Sequence, residues 1–186
     1  MKNKIKVVTD GINVYASLKV NASKIGIKVL ITLLLIEISF LIWASFQIPP
    51  KELVTMIIPL IILCVFLVGL PIKYLLWNLY GVEELIVNTK SVSWAYNYGF
   101  FKTKLKTITY NKLNIDYEKV NGALKNETGR LLFYDYSKIN PLPKLIHKTT
   151  VLLSKSDVQE FDQMIMKVFA KEKPKKKEDF FTFSLN

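Results

Sequence analysis

The chain has one cysteine, one histidine and one arginine in 186 residues. The single thiol, Cys64, excludes an internal disulfide and any site built from several cysteines. His147, standing alone, excludes a metal cluster of histidines. Arg130 is the only guanidinium; the other 25 of the 26 cationic residues are lysine. That weighs mildly against bidentate reading of phosphates or base edges, although genome composition explains it equally well. Glycine is scarce, seven in all, and no glycine-rich loop is present to cradle a phosphate. Asp135, between Tyr134 and Tyr136, fits an outward strand position better than an acid catalyst. No catalytic constellation emerges, so the sequence speaks against an enzyme and against a bound cofactor or metal.

What the chain has in excess is apolar surface and positive charge. Hydrophobic residues make up 51%, mean hydropathy is +0.24, and the net charge is +11. A basic balance of this size points to nucleic acid or to an anionic membrane surface. The apolar residues concentrate before position 80, which tilts the choice to lipid and away from nucleic acid.

Residues 29–48 and 53–72 are two continuous apolar runs of about 20 residues, the length a helix needs to cross roughly 30 Å of hydrocarbon. Backbone groups in lipid must be bonded within their own segment, so each run is expected to be helical. Pro49 and Pro50 break the helix between them, and so short a link makes the pair antiparallel. A signal peptide is disfavoured, since the first run begins only at residue 29 and no small-residue cleavage site follows it before Pro49. Lysines 2, 4, 6, 19, 24 and 28 precede the first run against Asp10 alone. Lys51 in the connection is offset by Glu52, and Lys73 follows the second run. This asymmetry predicts both termini in the cytoplasm. Trp43 at one boundary, with Tyr74, Trp77 and Tyr80 at the other, suits interfacial aromatic belts.

Glu37 interrupts the first run near its middle. A carboxylate there costs a few kcal/mol, so it is expected to be protonated, paired or facing protein. Two roles fit it: a contact with a second protein or a proton-linked function, and a neutral acid bonded to a backbone carbonyl. A count across the turn puts Cys64, a poor partner, at about its depth.

Before the hairpin, two β-rich stretches, 4–8 and 12–18, flank Thr9, Asp10 and Gly11, a strong two-stranded turn signal. An isolated ribbon is marginal, so this piece is expected to join a later sheet. After residue 80 the pattern becomes short strands at 84–88, 91–98, 101–109, 113–117, 130–136 and 148–153. Turns are expected at Thr89 and Lys90, Gly99, Asn111 and Lys112, and Asn121 and Gly122. Ser156 is placed as the cap of a helix over 157–170, with Asp157, Glu160 and Asp162 early and Lys167 late. Val158, Phe161, Ile165, Val168 and Phe169 give that helix an apolar face. The tail 171–186 is charged and then aromatic, and is expected to be disordered or partner-bound.

Element order, the stretch from Gly81 to Val87, the aromatic-glycine turn of Tyr96 to Gly99, a basic strand and a final helix resemble the bacterial pleckstrin-homology-like membrane proteins with a two-helix hairpin. The resemblance covers residues 73–170 and the hairpin, and it rests on order and pattern. It implies an α+β membrane protein: a transmembrane hairpin plus a small antiparallel barrel or sandwich of pleckstrin-homology type closed by a C-terminal helix. The domains would be 1–24, a β-hairpin joining the cytoplasmic domain; 25–80, the transmembrane hairpin; 81–170, the pleckstrin-homology-like domain; and 171–186, the tail. It also implies a multi-pass protein of the bacterial inner membrane that binds or assembles there.

Lys102, Lys104 and Lys106 are the one patterned polar feature. Strand spacing would put the three ammonium groups on one face, with Phe101, Thr103 and Leu105 opposite. They fit a docking surface for anionic headgroups, or a solvated face that keeps a sheet edge from pairing. Lys175, Lys176 and Lys177 invite the same two roles. Two function classes result. One is a non-catalytic accessory or scaffold protein whose domain binds a partner protein or anionic lipid. The other is a small structural subunit of a larger secretion, motility or defence complex, or a toxin-neutralising membrane protein.

Overall fold

The computed structural model of the chain describes residues 5–120, 128–136 and 142–171. The turn expected at Asn121 and Gly122, the lysines 175–177 and the tail beyond residue 171 lie outside the described residues. Over the described residues the chain is α+β, with three helices and antiparallel sheets, and it divides into two compact units. One unit is residues 21–81; the other is assembled from the segments on either side of it.

The first sheet of the assembled unit runs in chain order: β1 (Ile5–Thr9), β2 (Val14–Lys19), β3 (Val82–Val87), β4 (Ser91–Asn97) and β5 (Lys106–Thr109). Period-two patterning explains the faces. In β2, Val14, Ala16 and Leu18 are buried while Tyr15, Ser17 and Lys19 are exposed. The β1–β2 turn is set by Asp10, whose Oδ1 accepts the backbone N–H of Ile12 at 2.9 Å and of Asn13 at 2.6 Å. Gly11, at φ 90°, supplies the positive dihedral there. The N–H of Asn13, then its side-chain amide and the N–H of Ile12, hold the Asp10 carboxyl well below the usual carboxylate range.

The second sheet is centred on β7 (Thr128–Asp135). β6 (Leu113–Lys119) lines one of its edges. The other edge is shared: β8 (Lys144–Lys148) pairs with the C-terminal half of β7, and β9 (Leu153–Ser154) pairs with Thr128 and Gly129. Gly129 is required by close approach, since a Cβ there would stand 2.3 Å from the carbonyl oxygen of Glu118.

The helix α3 (Lys155–Lys171) follows β9 and packs on β1, β2, β7 and β9, so it covers strands of both sheets. Val158, Phe161, Ile165 and Val168 are the buried row, and each fully buried side chain contributes about 1.5–3 kcal/mol. Phe161 meets Phe133 of β7 edge to face, with ring centroids 6.3 Å apart. The cap is Ser154 rather than Ser156. The N–H of Asp157 donates to Ser154 Oγ at 3.3 Å, and the N–H of Ser154 donates to Asp157 Oδ2 at 3.1 Å. This reciprocal box starts the helix two residues earlier than expected, at Lys155.

The unit of residues 21–81 is a hairpin of α1 (Lys24–Phe46) and α2 (Pro50–Tyr80). Pro50 occupies the first helical position, where its missing N–H costs nothing, and Pro49 precedes it. Both helices are long and apolar enough to cross a membrane. At 1.5 Å per residue α1 is about 34 Å long and α2 about 46 Å. α2 therefore continues past Pro71, where the expected span ended at residue 72, because apolar and aromatic residues extend the helix to Tyr80. Gly81 then packs against the helix it terminates: its N–H donates to the Trp77 carbonyl at 2.8 Å, and a Cβ would stand 2.2 Å from that oxygen.

This helical unit is an insertion between neighbouring strands. Lys19, near the point where the chain leaves β2, is the register partner of Val82, where β3 begins. The two ends of the hairpin are thus tied to adjacent positions of one sheet.

Candidate functional site

The three candidate lysines do not share one strand face. β5 is only Lys106–Thr109, shorter than the strand expected over 101–109. Lys102 makes an isolated bridge with Asn97, and the ladder lapses between them and the pair Trp94–Lys106. The cause is Thr103. Its hydroxyl accepts the N–H of Tyr96 at 2.9 Å while its own N–H donates to the Tyr96 carbonyl at 2.8 Å. A side-chain oxygen has taken a ladder acceptor's place, which throws the following residues out of strand register. β5 is also the edge of its sheet, so Phe101 and Leu105 are exposed along with the lysines. Lys102 pairs with Glu84 of β3 at 2.5 Å. No ion pair is found for Lys104 or Lys106 among the described residues.

The turn that leads into this segment is aromatic. Tyr98 and Phe101 stack with centroids 4.5 Å apart and planes 11° from parallel. The N–H of Tyr98 donates to the Phe101 carbonyl at 2.9 Å, and Gly99 takes φ 90° between them. Asn97 Oδ1 accepts the N–H of Gly99 at 2.9 Å. Phe100 sits at the tip, 78% exposed.

Glu37 lies in α1 on the row of half-buried residues that runs Ile27, Leu30, Leu34, Glu37, Leu41 and Ala44. The matching row on α2 is Cys64, Val68, Pro71 and Leu75. Three-and-four spacing on both helices marks the seam of an antiparallel pair, so Glu37 belongs to the seam rather than to the outer faces. Its Oε2 is occluded and has no hydrogen-bond partner among the described residues.

The best-formed polar cluster among the described residues is one that sequence reasoning missed. Glu83 is fully buried, and its Oε1 lies 2.7 Å from Nε2 of His147, itself 6% exposed. Its Oε2 accepts the N–H and the hydroxyl of Thr150 at 2.8 and 2.7 Å and the N–H of Val151 at 3.2 Å. Trp94 of β4 stacks on His147 at 4.3 Å. The same charge reaches Tyr96, whose phenol is pushed up to about 12, first by burial and then by Glu83 and Tyr98.

The stretch 148–153, expected as one strand, contains the break between β8 and β9, residues 149–152. Thr149 replaces the ladder with a side-chain bond, its hydroxyl accepting the N–H of Leu131 at 2.9 Å. The next two N–H groups turn to Glu83 instead of to β7. A bulge opposite Phe133 and Tyr134 lets the consecutive residues Ile146 and His147 both turn inward. One signal was present in the sequence: Glu83 is in phase with Leu85 and Val87, the core face of β3. Its partners carried no signal, because the bulge and the broken ladder are products of the assembled fold.

This arrangement joins two sheets and satisfies a buried carboxylate four times over; of the residues it uses only Thr150 is exposed. Among the described residues no three His, Cys, Asp or Glu side chains gather as a metal site requires. No protein-family model matches the chain, and no curated protein or solved structure matches it either.

Proposed function

We propose that the protein is a non-catalytic, membrane-anchored scaffold or accessory protein of the bacterial inner membrane. Its helical hairpin spans the bilayer, and its folded unit, of pleckstrin-homology type, binds a partner protein or anionic lipid at the cytoplasmic face. The observation that carries this reading is the helical unit itself. Of its described apolar side chains only Leu41 is buried, while Ile25, Ile36, Phe40, Phe46, Ile58, Phe66 and Leu70 are more than half exposed. A helix pair apolar on every side needs an apolar solvent, and a bilayer is that solvent. Its insertion between paired strands supports a single-sided arrangement, with both hairpin ends returning to one sheet. Two antiparallel sheets followed by an amphipathic C-terminal helix support the pleckstrin-homology comparison.

The test is purification of the full chain from membranes in mild detergent, with mass spectrometry of what accompanies it and flotation with vesicles. Resistance to alkaline carbonate, together with a recurrent protein partner or preferential flotation with anionic vesicles, supports the reading. Release by carbonate contradicts the anchor. Isolation without a partner and equal flotation with neutral and anionic vesicles contradicts the binding role.

A further inference from the structure

The register of the first sheet fixes which turns share an end with the exits to the helical hairpin. Lys19 pairs with Val82, Val82 with Asn97, and Asn97 bridges to Lys102. These four positions form one row across β2, β3, β4 and the bridge residue in the segment that leads to β5. Strands lie about 4.8 Å apart, so Asn97 stands about 5 Å from the start of β3 and about 10 Å from Lys19. Val82 follows Tyr80, the last residue of α2, by two positions. The turn 98–101 is therefore at the end of the sheet where the chain passes into the hairpin. The opposite end carries the turns at Asp10 and Asn13, Asn88 and Lys90, and Asn111 and Lys112. Those are tied to one another by polar bonds, such as Asn88 Nδ2 to Asn13 Oδ1 at 3.1 Å.

The two ends differ in chemistry as well as position. The hairpin end presents Phe100 at 78% exposure, Phe101 at 45% and Leu105 at 52%, interleaved with Lys102 and Lys104. The two carboxylates of the neighbouring strand are already engaged, Glu83 with His147 and the Thr150 loop, and Glu84 with Lys102. Aromatic side chains interspersed with lysine suit the headgroup level of a bilayer, where rings sit among glycerol and carbonyl groups and ammonium groups meet phosphate.

We infer that the β4–β5 turn, Phe100 with Phe101, Lys102, Lys104 and Leu105, is a membrane-docking element that seats in the surface of an anionic bilayer. The inference rests on the proposal that α1 and α2 cross that bilayer. The docking gives the folded unit a second hold on the membrane besides its covalent links, and it specifies which end of the first sheet meets lipid.

The experiment uses the full chain reconstituted in vesicles of phosphatidylethanolamine and phosphatidylglycerol, with an environment-sensitive nitrobenzoxadiazole label on a single cysteine. Three sites are compared: native Cys64, and Phe100→Cys and Lys90→Cys in a Cys64→Ser background. Quenching by bromine-substituted lipids is expected at Cys64 and at position 100 but not at position 90. With the label moved to Lys104→Cys, Phe100→Asp is expected to remove most of the quenching, as is replacing phosphatidylglycerol with phosphatidylcholine. Quenching at Cys64 with none at position 100 overturns the docking element while the membrane-spanning reading stands. A blue-shifted but unquenched label at position 100 places the turn against a second copy of the chain and also overturns it. Quenching at position 100 without quenching at Cys64 supports surface docking and contradicts the spanning helices. No quenching at either site removes both.

Discussion

Glu83 on β3 and His147 on β8 meet at 2.7 Å in the buried interior, and through them one sheet is joined to the other. Removing one partner of a buried, hydrogen-bonded pair leaves the other unsatisfied. Glu83→Ala also strands the Thr150 and Val151 N–H groups. A loss of about 3–5 kcal/mol is expected for Glu83→Ala, and a smaller loss for Glu83→Gln, whose amide oxygen still accepts. Thermal unfolding of the detergent-solubilised protein checks this. A melting temperature unchanged by Glu83→Ala would show that the pair does not hold the sheets.

The helix cap separates two serines that look alike in sequence. Ser154→Ala is expected to cost about 1 kcal/mol, because it removes the acceptor for the Asp157 N–H. Ser156→Ala is expected to cost only a few tenths. Melting curves of the two variants rank them, and the reverse order would return the cap to Ser156.

Much of the fold was legible because its signals are local. The apolar runs, the proline pair at 49 and 50, the turn at Asp10 and Gly11, and the buried row of α3 each depend on neighbours within a few residues. The strand ends were not legible where a side chain displaces the ladder. Thr103 and Thr149 both do this by hydrogen-bonding the backbone N–H of a residue on another strand, Tyr96 or Leu131. The lysine face expected from strict alternation over 101–109 was lost to the first of these substitutions, and the strand expected over 148–153 to the second. The Glu83–His147 pair spans 64 positions and depends on a bulge, so only half of it, the inward phase of Glu83, could be read beforehand.

Asp162 on α3 is a carboxylate that burial raises above its ordinary value, with Oδ1 occluded and without a hydrogen-bond partner among the described residues. The folded state holds its proton at pH values where the unfolded chain has released it. Its stabilising contribution is therefore present below the unfolded value and is lost as pH rises through the folded one. Asp162→Asn is expected to raise stability at neutral pH, by no more than about 1 kcal/mol because solvent still reaches the group. The gain should vanish in acid, below both values. Melting curves across pH test it, and a gain independent of pH would assign the effect to packing.

Glu37 sits on the α1–α2 seam, so replacing it with an apolar residue is expected to help the hairpin rather than harm it. Glu37→Leu should favour insertion by roughly 3 kcal/mol on helix-centre scales and raise the melting temperature in detergent. Glu37→Gln should stay close to wild type. Loss of a co-purifying protein with Leu but not with Gln would show that the carboxyl serves a contact outside the hairpin.

The most direct measurement of the central claim, a hairpin that crosses the membrane twice and returns both ends to one side, is cysteine accessibility in intact cells. In a Cys64→Ser background, Gln47→Cys lies in the α1–α2 connection and Ser156→Cys on α3. A membrane-impermeant maleimide added from outside is predicted to label position 47 in intact cells and position 156 only after permeabilisation. Labelling of position 156 from outside, or protection of position 47, would contradict the account.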